Sequence, residues 1–266
     1  MLQGFALLCL GVGLCLGTAL RAQTAEFLVS QNGQSVGTAS FDIRAGAGGF
    51  DSSSSVKIEM QGLDYAISKT ERLDEAHHLQ HVVLSGVLNG SAVSVVGKPD
   101  GAQFLLNMSA NGRSTTARLD SHGGAVFMAD FDPGALQTLL DLAAAQNGRE
   151  LFAILPKQAG SVVPVELATY ADEQGTMDGK PVTVHHLQAN YGGGHADLFA
   201  GPDNALMQAE LPQEGFALVR KGFVLTPPKK PVVPANSDQW SVISDRWSVV
   251  RDFGRRRRRR TTPTGS

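Results

Sequence analysis

The chain has 266 residues, of which 42% are hydrophobic and 18% charged, with a formal net charge of −2. That is enough apolar material for one sizeable core, and it excludes a chain kept unfolded by charge. The near-neutral total hides a division, because residues 26–225 carry 12 Lys and Arg against 22 Asp and Glu, whereas residues 226–266 carry 10 against 3. An acidic domain of this kind is a poor partner for nucleic acid or for an anionic membrane.

Residues 1–25 read as a secretory signal peptide. The run over residues 5–20 is apolar with Gly and Thr, too short for a membrane span, and is followed by Arg21-Ala22-Gln23-Thr24-Ala25, with small residues suited to cleavage. Its n-region departs from pattern in having no Lys or Arg. Cys9 and Cys15 both lie inside this segment, each after a Leu where a lipoprotein cleavage box wants a small residue. The expected mature protein is therefore exported, periplasmic or extracellular, without a thiol and without a transmembrane segment, and its stability rests on its core.

From residue 26 turn signals recur at short intervals: Asn32-Gly33, Gly46 to Gly49, Gln61-Gly62, Asn89-Gly90, Asp100-Gly101, Asn111-Gly112 and Gly123-Gly124. Side chains alternate between them. Val56, Ile58 and Met60 share a face, as do Leu63, Tyr65 and Ile67, then Phe104, Leu106 and Met108. The polar run Ser52 to Ser55 reads as loop. This pattern predicts an antiparallel meander with one buried face, and the lack of intervening helical periods argues against a parallel sheet.

One helix is expected, over about 132–146. Asp132 suits the N-cap, Pro133 suits the first helical position, and Phe131 stands where a hydrophobic staple onto Leu136 would begin. Leu136, Leu139, Leu140 and Ala143 fall on one stripe, with Gln137, Asp141 and Gln146 largely off it, and Asn147-Gly148 ends the helix. Strand patterns resume from Leu151, with further turns at Asp178-Gly179 and Gly192-Gly193-Gly194. On the order of 12 strands and one helix are too many for a flat open sheet. The expected fold is mainly β: a strongly curved antiparallel sheet, or unclosed β-barrel, with the helix packed in or across it.

That element order resembles the unclosed β-barrel of periplasmic lipoprotein carriers. It is also similar to uncharacterised bacterial secreted families with phrases like Met177-Asp178-Gly179-Lys180-Pro181-Val182 and Phe216-Ala217-Leu218-Val219-Arg220. The resemblance covers residues 26–225 and implies an acyl chain held in the concave face beneath the helix. No functional residue transfers by a matching motif.

Chemistry-bearing constellations give little. His77, His78 and His81 stand beside Asp74 and Glu75, but a strand separates residues four apart by about 13 Å, too far for one metal ion. His185 and His186 would point to opposite faces. There is no nucleophile elbow and no phosphate loop, and Asp132 is better explained by capping than by acid-base work. No catalytic residue, metal site or cofactor is expected. The expected ligand-binding residues are Phe104, Leu106, Met108, Leu136, Leu139 and Leu140, lining a space for an apolar small molecule or lipid.

Residues 226–236 form a Pro-rich linker. After it, Ser237-Asp-Gln-Trp-Ser-Val-Ile243 and Ser244-Asp-Arg-Trp-Ser-Val-Val250 make a seven-residue repeat holding Trp240 and Trp247, followed by six arginines from Arg255 to Arg260. Residues 237–266 are expected to be a basic, disordered tail. The leading functional expectation is an exported carrier or binding protein of the cell envelope. The alternatives are a structural or protein-interaction module of the envelope without a small ligand, and a hydrolase with a His/carboxylate site.

Overall fold

The computed structural model describes residues 23–146, 148–156 and 160–227. The expected signal segment, the repeat and the arginine run lie outside them. The first half is a meander of β1 (Gln23–Gln31), β2 (Gln34–Gly46), β3 (Gly49–Met60), β4 (Leu63–Leu73), β5 (Leu79–Leu88), β6 (Ser91–Asp100), β7 (Gln103–Ala110) and β8 (Arg113–Asp120). Then come β9 (Ala125–Phe127), the helix α1 (Pro133–Ala145), β10 (Phe152–Leu155), β11 (Ser161–Pro164) and β12 (Glu166–Thr169). The chain continues through β13 (Glu173–Met177), β14 (Lys180–Tyr191), β15 (Gly194–Ala200), β16 (Leu206–Leu211), β17 (Phe216–Arg220) and β18 (Phe223–Leu225).

One large antiparallel sheet runs in the order β18-β13-β14-β15-β16-β17-β1-β2-β3-β4-β5-β6-β7-β8, with β12 also paired to β14. It does not close on itself, so the molecule is an unclosed, mainly β structure with a single α-helix among the described residues. The first and last thirds of the domain are joined by β1, whose Phe27 pairs with Arg220 of β17 while its other edge pairs with β2. β9, β10 and β11 form a separate small sheet in which β9 and β10 run parallel.

The hairpins follow from local chemistry. Asn32-Gly33, Asn89-Gly90, Asn111-Gly112 and Asp178-Gly179 all have positive φ at both positions, the backbone a two-residue type I′ hairpin requires. Alternation then sets the buried face. Phe27 and Val29 on β1, Phe41 and Ile43 on β2, Val56 and Ile58 on β3, and Tyr65 and Ile67 on β4 all enter one core. Ser52 to Ser55 is not a loop. It continues β3, with Ser52 and Ser54 buried in the same phase as Val56 and Ile58.

The helix caps itself as its sequence indicates. Asp132 Oδ1 accepts hydrogen bonds from the amides of Gly134 (2.9 Å) and Ala135 (3.2 Å), and the Gly148 amide donates to the Ala143 carbonyl at 2.8 Å beyond the last turn. Its burial is wider than the leucine stripe. Every residue from Pro133 to Leu140 is buried, and α1 packs chiefly on β2, β3, β9, β16 and the 3-10 turn Pro202–Asn204. Gly134 lies close against β2 and β3: a Cβ there would stand 3.1 Å from Ser54 Cβ and 3.3 Å from Phe41 Cβ. Gln137 is fully buried rather than off the packed face. Its Oε1 accepts from the Leu206 amide (2.8 Å), and its Nε2 donates to the Asn204 carbonyl (3.1 Å) and to Asp141 Oδ1 (3.0 Å). The amide thus completes main-chain groups at and just before the start of β16 that would otherwise be left unpaired.

A cleft and a buried ion cluster at the helix N-terminus

Two features meet where α1 begins, and the first is a cleft of about 260 Å³. Its apolar wall is Met128, Phe131, Leu136, Leu155 and Leu211, and its polar side is Asp130, Tyr191, His195, Gln213 and Glu214. The wall is fixed by aromatic packing. Phe131, at φ 58°, places its ring 4.5 Å from that of Phe216 and edge-on to Tyr65 at 5.6 Å, and the Tyr65 hydroxyl donates to the Asp130 carbonyl (3.0 Å). The opposite side is the turn between β14 and β15, where Gly192 and Gly193 both take positive φ. His195 Nδ1 lies 3.3 Å from Gln213 Nε2 across the rim. Burial, with the nearby Asp130 and Glu214 carboxylates, pushes the Tyr191 phenol up to about 12, so it faces the cleft as a neutral donor.

The second feature lies behind the N-cap. Lys69 on β4 is fully buried, with Nζ 2.6 Å from Asp132 Oδ2, 2.8 Å from Glu71 Oε2 and 3.5 Å from the Phe127 carbonyl. All three ionic side chains are at most 1% exposed. Apart from Lys69, neither Glu71 Oε2 nor Asp132 Oδ2 has a hydrogen-bond partner, and the buried Ser52 hydroxyl opposite Glu71 has none. One ammonium therefore serves two carboxylates. Burial and then Asp132 raise the Glu71 carboxyl above its ordinary range against the pull of Lys69, while Lys69 keeps its proton because the two carboxylates outweigh its own burial.

Of the residues expected to hold a ligand, Phe104, Leu106, Leu136, Leu139 and Leu140 are buried in the main core, and Met108 packs against it half-buried. Leu136 lines the cleft. The structure does not set the helix leucines chiefly against β7, because α1 rests on β2, β3 and β16, four or more strands away along the sheet. Sequence reasoning missed Lys69 and Glu71. The phase of Tyr65, Ile67 and Leu73 on the same strand would have placed both on the buried face.

Among the described residues no group of three or more His, Cys, Asp or Glu is arranged to hold an ion. His77 lies in a turn built on Asp74, stacked on Phe50 at 4.5 Å between ring centroids, and its burial holds its pKa below the usual value. His186 comes closest to a catalytic arrangement. Its Nδ1 is 3.1 Å from Glu173 and its Nε2 3.3 Å from Asp197, with the ring between those of Tyr170 and Phe199. Each ring nitrogen thus faces a carboxylate.

A larger hollow of about 550 Å³ lies on the outer face of the sheet, floored by Ser40, Ser55, Ser68 and Ser85 and flanked by Lys57, Glu26 and Lys221. Those serines belong to one register row that continues through Ser94, Ser109 and Ser114, one per strand from β2 to β8. It is shallow and open where the cleft is walled by apolar side chains. Comparison of the chain with protein-family models, curated proteins and solved structures finds no match.

Proposed function

We propose that the protein is an exported binding protein of the cell envelope, which takes the apolar end of an amphipathic small molecule or lipid into the cleft at the N-terminal end of α1. The observation that carries this reading is the cleft's two-sided lining, with Met128, Phe131, Leu136, Leu155 and Leu211 facing Tyr191, His195 and Gln213. A small apolar pocket with a few convergent polar groups is the usual form of a ligand site. At about 260 Å³ it is below the range of roughly 300–1,000 Å³ typical for larger ligands. It therefore accepts a short chain end or a single ring, with the polar head left at the rim beside His195 and Gln213.

The test is titration with an environment-sensitive fluorescent fatty acid. Wild-type protein is expected to bind it saturably, and Gln213→Trp, a change at an exposed rim position, to weaken binding at least tenfold with no change in melting temperature. Absence of saturable binding, or equal binding by the variant, would overturn the reading. A second reading, an envelope interaction module without a small ligand, draws on the serine-floored outer hollow. In that case Ser68→Trp rather than Gln213→Trp disturbs partner binding.

A further inference from the structure

We infer that Lys69 and Asp132 are the two ends of an autocatalytic intramolecular amide bond, formed with Glu71 as proton carrier, that ties β4 covalently to the start of α1. A primary amine and a carboxyl group are 2.6 Å apart, a second carboxylate is 2.8 Å from the same nitrogen, and all three are shielded from solvent. Solvent exclusion matters twice: the ion pair is the resting state, but burial lowers the cost of passing the Lys69 proton to a carboxylate, and it disfavours hydrolysis of the product.

Each atom of Asp132 has a part. Oδ1 already accepts from the amides of Gly134 and Ala135, so negative charge that develops on it during attack meets two preorganised donors and the positive end of the helix. Oδ2 faces Lys69, with no other hydrogen-bond partner to hold it, and is the oxygen that departs. The ammonium first passes a proton to Oδ2, giving a neutral amine and a neutral carboxyl. Nζ then attacks Asp132 Cγ and the carbonyl electron pair collects on Oδ1. Glu71 removes a second proton from the nitrogen and delivers it to the Oδ2 hydroxyl, the Cγ–Oδ2 bond breaks, and Oδ1 returns to a carbonyl. Nitrogen keeps one hydrogen, the product is an amide plus water, and no oxidant or activated co-reactant is needed. Asp132 is also one of the residues that border the cleft.

The bond would span a chain segment from β4 to α1 in a domain whose described residues contain no cysteine, and would do there what a long-range disulfide does elsewhere, by restricting the unfolded chain. Mass spectrometry of the purified full chain decides the matter. The expected intact mass is one water below that calculated from its sequenced ends. Trypsin is expected to yield a branched species joining residues 58–72, uncut at Lys69, to residues 119–149. Glu71→Gln, checked for β-sheet content by circular dichroism, is expected to give the full mass and separate peptides. Full recovery of linear peptides from wild type, or a water loss mapped to another position, would overturn the proposal. A branched peptide persisting in Glu71→Gln would remove Glu71 from the mechanism.

Discussion

Asp141 illustrates how a single side chain ties this fold to pH. It lies on α1 one turn after Gln137, from which it accepts a hydrogen bond at 3.0 Å, and burial pushes its pKa from 3.8 up to about 6. The folded state therefore binds its proton more tightly than the unfolded chain. The linked stability is fully present below pH 3.8 and is lost as the pH rises through about 6. Asp141→Asn keeps the acceptor and removes the charge. It is expected to stabilise the protein by about 1–3 kcal/mol at pH 7.5 and to be neutral below pH 3.8, read by thermal unfolding at both pH values. A gain of equal size at both would contradict the assignment. The residue scale is also where the sequence was least legible. Lys69, Glu71, Ser52 and Ser54 are polar residues on the buried phase of β3 and β4, and polarity masked an alternation that their apolar neighbours declare. Asp132, the third charge of the cluster, stands far along the chain, where no local pattern reaches.

The helix was legible at its ends. Asp132, Pro133 and Gly148 carry cap chemistry that operates within a few residues, so sequence alone places them. Its surroundings were not legible, because periodicity identifies an apolar stripe but not which strands will cover the rest. Gln137 looks like a solvent-facing residue and instead joins α1 to the start of β16 through Leu206 and Asn204. Gln137→Ala leaves the buried Leu206 amide unpaired and takes its side-chain donor from the Asn204 carbonyl. It is expected to lower unfolding stability by about 1–3 kcal/mol in urea titration, with the slope unchanged. A loss under about 0.5 kcal/mol would show that the helix is held by its leucines alone.

At the scale of the whole molecule, the meander β1–β8 could be read from turn pairs and alternation, as could an open, curved sheet with one helix. The pairing of β1 with β17, the parallel pair β9 and β10, and the seating of α1 on β2, β3 and β16 could not. These are long-range choices of register, and a strand's in-and-out pattern is the same whichever neighbour it meets. They also decide where the cleft opens, since its walls come from β10, the segment before α1, the β14–β15 turn and the end of β16. The most direct measurement is an NMR titration of methyl-labelled protein with a medium-chain fatty acid. The account predicts saturable shifts on the methyls of Met128, Leu136, Leu155 and Leu211, with those of the exposed Leu28, Val87 and Val96 unmoved. Shifts confined to Leu28, Val87 and Val96, or none at all, would contradict it.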